Sequence, residues 1–167
     1  MALTVVLLAR ILAIAVLLRI GWTDLTTQKI ANNDVLALAT CGLAASIAAS
    51  YRQNSWASLA IGLGAAAMLL AVLFPFWMLG KLGAGDVKLI AVVPILVSSD
   101  QYLVFALALL IFVLAIVVLV RNPLFLPHQL FGEYLKVMGR RGVVPFGVPI
   151  SAALIVVLGS GLVTTSM

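Results

Sequence analysis

The residues in this chain best suited to chemistry are its five acids, Asp24, Asp34, Asp86, Asp100 and Glu133. They stand in a sequence that is 65% hydrophobic and only 9% charged, so each acid near the apolar runs needs a physical reason to be there. Asp100 falls between two hydrophobic runs and Glu133 within a mixed polar and apolar stretch, where water reaches both. Asp34 follows Asn32 and Asn33 at the start of a run, a position that reads as a helix cap. Asp24 and Asp86 differ. Asp24 closes the first hydrophobic run, and Asp86 opens the fourth within Gly83-Ala84-Gly85-Asp86-Val87-Lys88. Gly83 and Gly85 are expected to permit unusual backbone angles or a close approach of another segment. Such a turn can aim one carboxylate at another. Two carboxylates that share a proton can activate water and protonate a leaving amine, which is the chemistry of aspartyl peptide hydrolysis.

The elements that must position these groups follow from the apolar runs. Ordinary soluble domains are about 25% charged, far above this chain, and a membrane-spanning helix needs roughly 20 apolar residues. The 167 residues therefore read as one membrane-embedded domain covering 1–167. The fold class is all-α integral membrane, with about six transmembrane helices joined by short loops. The expected spans are Leu3–Trp22, Val35–Ala49, Trp56–Leu79, Asp86–Val97, Tyr102–Val120 and Val143–Leu162, the fourth short and interrupted by Pro94. The stretch Asn122–Gly142 mixes Leu124, Phe125, Leu130, Phe131, Tyr134 and Leu135 with His128, Glu133, Lys136 and Arg140. It reads as one cytoplasmic amphipathic helix against lipid headgroups.

Charge sets the expected orientation. Lys29, Lys81, Lys88, Arg121, Lys136, Arg140 and Arg141 all fall on one side if the chain crosses at every span, and Arg52 alone among the loop bases falls on the other. The positive-inside rule then assigns the first, third and fifth loops to the cytoplasm and both termini to the outside. This places Asp24 and Asp86 at the same, cytoplasmic edge. The net charge of +5 is spread between hydrophobic runs rather than gathered in a stripe, which argues against nucleic acid as a partner.

Other side chains carry less. The single cysteine, Cys41, excludes an internal disulfide or a paired-cysteine metal site and reads as a small packing residue. His128 has no second ligand at helical spacing, so neither a metal nor another cofactor is expected. Ser46, Ser50, Ser58 and Ser151 have no neighbouring histidine, against a serine–histidine hydrolase. Arg10, inside the first run, either snorkels outward or meets an acid. The run Gly62-Leu63-Gly64-Ala65-Ala66-Ala67 is expected to allow close helix packing.

Three blocks together resemble the type IV prepilin peptidases, membrane aspartyl proteases of the GxGD class, and most of all their short Flp/Tad pilus branch. Asp24-Leu25-Thr26-Thr27-Gln28-Lys29-Ile30-Ala31-Asn32 is similar to the family's D-x5-I-P-N, with Ala31 where proline is usual. Gly83-Ala84-Gly85-Asp86-Val87-Lys88 is similar to its G-x-G-D-x-K. Val144-Pro145-Phe146-Gly147-Val148-Pro149 is similar to its late P-[FY]-[GA]-P, with Val148 inserted before Pro149. The resemblance implies a catalytic pair of Asp24 and Asp86, and an active-site loop of Gly83, Gly85 and Lys88. It also implies substrate contacts at Lys29, Asn32, Pro145 and Phe146. The implied substrate is a prepilin with a short basic leader and a hydrophobic helix, cut at the cytoplasmic face of a bacterial inner membrane. Membrane lipid and the pilus assembly or secretion machinery would be its further partners. Longer family members carry a four-cysteine segment and methylate the new amino terminus, and this chain lacks that segment. Two competing readings use the same residues: a small transporter that takes protons or cations on Asp24 and Asp86, and an assembly factor without catalysis.

Overall fold

The computed structural model describes residues 2–121 and 146–165. The described residues form six α-helices and one short 3-10 turn, with no strand among them. The helices are α1 (Ala2–Thr27), α2 (Asn32–Gln53), α3 (Ala57–Met78), α4 (Ala84–Leu96), α5 (Tyr102–Arg121) and α6 (Gly147–Thr165), with the 3-10 turn at Ser99–Gln101 before α5. The expected amphipathic helix at Asn122–Gly142 falls outside the described residues.

By length and composition α1, α2, α3 and the Ser99–Val118 stretch reaching into α5 are long and apolar enough to cross a membrane. The protein is therefore an all-α membrane protein. The other two helices are shorter. The 13 residues of α4 span about 20 Å at 1.5 Å per residue, less than the roughly 30 Å hydrocarbon core, and the apolar part of α6 is Gly147–Leu162. Buried on its whole flank, α4 needs no lipid-spanning length of its own: Val87, Leu89, Val92 and Val93 all lie in the core.

That core is built by four helices. Leu17 and Ile20 of α1, Leu38 of α2, Leu89 of α4, and Ala153, Leu154 and Val157 of α6 are completely inaccessible. Helix α1 packs on α2 and α6, α2 also packs on α4, α3 lies mainly against α4, and α5 mainly against α6. Both α3 and α5 contribute little to the core and turn broad apolar faces outward, with Met68, Val72, Leu103 and Ile111 exposed. Cys41 packs at the margin of the core, in keeping with its reading as a small packing residue.

Several boundaries differ from those read off the apolar runs. The first helix does not end at Trp22 but continues to Thr27. The hydroxyls of Thr23, Thr26 and Thr27 donate to the carbonyls of Arg19, Trp22 and Thr23 at 3.0, 3.0 and 2.8 Å, so this polar turn satisfies its own donors inside the helix. Helix α1 stops where Gln28 takes a left-handed conformation, φ 54°. Its N–H bonds the Asp24 carbonyl at 3.0 Å. Helix α3 ends in a Schellman-type turn: Gly80 has φ +67°, and the Lys81 N–H reaches back to the Phe76 carbonyl at 2.9 Å.

Asp34 is not a cap. The N-cap of α2 is Ala31, with φ −72° and ψ 138°, and Asp34 is buried one turn along, its Oδ1 3.6 Å from Nη1 of Arg19. Within α1, Arg10 turns its Nη1 to the carbonyl of Gly161, donating at 2.7 Å. The expected close packing holds at Gly62, where a β-carbon would lie 2.8 Å from the Pro94 carbonyl, but not at Gly64, which faces nothing within 4 Å.

Candidate active site

The last turn of α1, the α1–α2 loop, the first turn of α4 and the first turn of α6 meet at one end of the bundle. Asp24 lies in that last turn and is only 4% exposed. An acid so buried needs donors, and α6 provides them: the Val148 N–H donates to Oδ2 of Asp24 at 3.2 Å, and the Gly147 N–H also points at this carboxylate. The α6 N-terminus is well placed to do so, because its first amides have no partner within the helix and carry partial positive charge. A side chain at 147 would destroy the arrangement. Its β-carbon would stand 2.7 Å from Asp24 Oδ2 and 2.9 Å from Cδ1 of Ile30. Pro149 follows within the first turn of α6, where its missing N–H takes nothing from the helix.

Asp86 is half-buried at the third position of α4, after the N-cap Gly83. Its carboxylate folds back to accept the Gly83 backbone N–H, the N-cap half of a capping box. Neither Gly83 nor Gly85 has a positive φ, so unusual backbone angles are not the reason for these glycines. Close approach is. A β-carbon at Gly83 would lie 2.8 Å from Asp86 Oδ2, and one at Gly85 2.9 Å from the Ile30 β-carbon. Ile30 thus wedges the α1–α2 loop against both Gly85 and Gly147, and sets the spacing between the segments that carry the two acids.

The two carboxylates come from distant parts of the chain. Each approaches from a different helix, and the charge of Asp24 acts on Asp86. Two carboxylates within electrostatic reach of one another favour a state in which one of them holds a proton. Among the described residues, no group of three or more His, Cys, Asp and Glu side chains converges to hold a metal.

Lys88 and Asn32 also belong to this end, and they meet. Lys88 Nζ donates to Asn32 Oδ1 at 2.9 Å, an exposed bond to an amide oxygen. The bond joins the start of α2 to α4 two residues from Asp86. Lys29 is exposed on the loop. Phe146 is 39% exposed just ahead of α6, and Pro145 falls outside the described residues. The late block therefore reaches Asp24 through the backbone of Gly147 and Val148. Its glycine at the start of a hydrophobic helix was the available signal. Ile30 was the other residue overlooked, and its fixed distance from Asp24 was the clue.

No curated protein and no solved structure matches the chain. Residues 11–120 do match a family model, and that stretch carries both aspartates, Ile30, Asn32 and Lys88: the chain belongs to the type IV leader peptidase family, and is a peptidase of the membrane.

Proposed function

We propose that this protein is a membrane aspartyl endopeptidase that removes the short basic leader from Flp-type prepilins and related pseudopilins, with Asp24 and Asp86 as its catalytic pair. The observation that carries the reading is the convergence of these two acids, each steadied by backbone amides, at one end of a helical bundle. In the proposed reaction one carboxylate takes a proton from water as its oxygen attacks the scissile carbonyl. The other, protonated, hydrogen-bonds the carbonyl oxygen. Collapse of the tetrahedral intermediate breaks the C–N bond, and the proton passes to the leaving amine. Gly83 and Gly85 shape the Asp86 turn, and the Lys88–Asn32 bond steadies it.

The substrate reading rests on location. A pilin helix lies in the bilayer with its leader in the cytoplasm, so the bond to be cut sits at the interface. The positive-inside distribution of Lys29, Lys81 and Lys88 orients this end of the bundle toward the cytoplasm of a bacterial inner membrane. The outward apolar faces of α3 and α5 suit lipid and a passing substrate helix alike. The pilus assembly or secretion machinery would receive the product.

The test is co-expression with a candidate Flp-type prepilin, read as a mobility shift on a gel and as the new amino terminus by mass spectrometry. Wild type should cleave, and Asp24→Asn and Asp86→Asn should not. Cleavage that persists in both variants would overturn the pair, and a prepilin left uncut by wild type would favour the assembly-factor or transporter reading.

A further inference from the structure

Hydroxyls on these helices commonly donate to their own backbone. Thr23, Thr26, Thr27, Thr40 and Ser160 each bond a carbonyl three or four residues back, the usual outlet for a hydroxyl within a helix. Ser151 of α6 does not. It is only 2% exposed, and its Oγ is fully enclosed with no hydrogen-bond partner among the described residues. Leaving a buried hydroxyl unmet is costly, so its surroundings should hold an acceptor.

The register of α1 on α6 identifies it. The two helices run antiparallel: Val148 N–H bonds Asp24, and one turn deeper a β-carbon on Gly21 would meet the β-carbon of Ser151 at 3.9 Å. Ser151 follows Val148 by three residues and Gly21 precedes Asp24 by three, about 4.5 Å of rise on each helix. Side chains lean toward the N-terminus of their own helix. In antiparallel partners this tilt aims Asp24 and Ser151 toward each other.

Gly21 leaves room at this level. Beyond its own helix, a β-carbon there would find no other atom of the described residues within 4 Å. The seam therefore combines space, a buried hydroxyl that needs an acceptor, and a buried carboxylate one turn above it. Water occupies such places, bridging buried polar groups that lack a protein partner.

We propose that Ser151 is a positioning residue for cleavage: through one water beside Gly21, its hydroxyl donates to the carboxylate of Asp24. The proposal rests on the reading of Asp24 as half of the catalytic pair. The amides of Gly147 and Val148 hold that carboxylate from the α6 end. A donor from below stops it turning about its last bond, a soft torsion in aspartate, so it presents the same edge to Asp86 at every turnover.

The test measures kcat and KM of the purified full chain in detergent, with the Flp-type prepilin of the cleavage assay as substrate. Ser151→Ala should lower kcat about tenfold, the contribution of a hydrogen bond to a charged group, and leave KM unchanged. Gly21→Ala keeps the hydroxyl but fills the space of the water, and should lose as much. The double variant should be no slower than either single one, because both changes remove the same bridge. Gly159→Ala, also on α6 and open around its β-carbon, should match wild type. Wild-type kcat in Ser151→Ala or Gly21→Ala, losses that multiply in the double variant, or an equal loss in Gly159→Ala overturns the proposal. Asp24→Asn, assayed alongside, separates this inference from the reading beneath it. If Asp24→Asn cleaves, the catalytic pair itself fails. If it is inactive while Ser151→Ala works at the wild-type rate, only the role of Ser151 fails.

Discussion

The two ends of the bundle handle charge in opposite ways, and α6 connects them. Its N-terminus donates Val148 N–H to the carboxylate of Asp24, and near its C-terminus the Gly161 carbonyl accepts from the guanidinium of Arg10. Both charged residues come from α1. Arg10 and Asp24 are separated by the same number of residues as Gly147 and Gly161, as two antiparallel helices of equal rise require. The negative group meets the positive end of the α6 dipole and the positive group its negative end. A chain with few charges thus keeps two of them at membrane depth by bonding each to backbone near an end of α6. What separates the ends is the company of these groups. Asp24 faces a second acid, which makes chemistry possible. Arg10 has a second base, Arg52, at its own end of the bundle.

The largest effect is expected from neutralising the acidic end. Asp24→Asn or Asp86→Asn should lower prepilin cleavage by about 10³-fold or more, within the range that general acid–base groups contribute. Far-ultraviolet circular dichroism should show the helices retained. Gly147→Ala comes next. The added methyl must displace Asp24 or Ile30, and a shift of about 1 Å at a reacting group costs about 10²-fold. Gly64→Ala, facing open space, is the control and should cleave as wild type does. An active Gly147→Ala enzyme would mean that the α6 N-terminus does not hold Asp24 during turnover.

A smaller effect is expected from the bond across the site. Lys88→Met and Asn32→Ala should each slow cleavage by about fivefold, roughly 1 kcal/mol for an exposed charge-assisted hydrogen bond. The double variant should be no slower than either single one. Fully additive losses in this double-mutant cycle would show that the two side chains act separately.

How much of this was legible in the sequence depends on what kind of contact is asked about. Apolar runs marked the helices because lipid exposure requires them, and Asp24 and Asp86 stood out because acids are costly there. The ends of α1 and α2 were misplaced for a physical reason: hydropathy locates where the apolar surface stops, whereas the threonines of α1 and the Ala31 cap of α2 let the helices continue beyond it. Asp34 illustrates the same limit, since its neighbour Arg19 lies on a different helix. Arg10 donates to a backbone carbonyl, and a carbonyl leaves no mark in a residue pattern. Lys88 and Asn32 were each singled out, but their meeting required the fold. Gly147 and Ile30 act through the space they leave or fill, which only packing reveals.

The mildest test concerns the loop between the first two helices. Ala31 holds φ −72°, the angle to which a proline ring is locked, and it precedes the first turn of α2. Ala31→Pro therefore asks for no new backbone angle at its own position. By restricting the unfolded chain it should stabilise the protein by about 0.4–1 kcal/mol, seen as a higher melting temperature in detergent. The substitution also presses the preceding residue toward an extended conformation, and that residue is Ile30, wedged between Gly85 and Gly147. A gain in stability with cleavage unchanged would mean that Ile30 is already set in the geometry the site uses. A gain in stability with cleavage lost would mean that the loop must shift for the two acids to engage the peptide, and that the resting arrangement at this end is a step short of the working one.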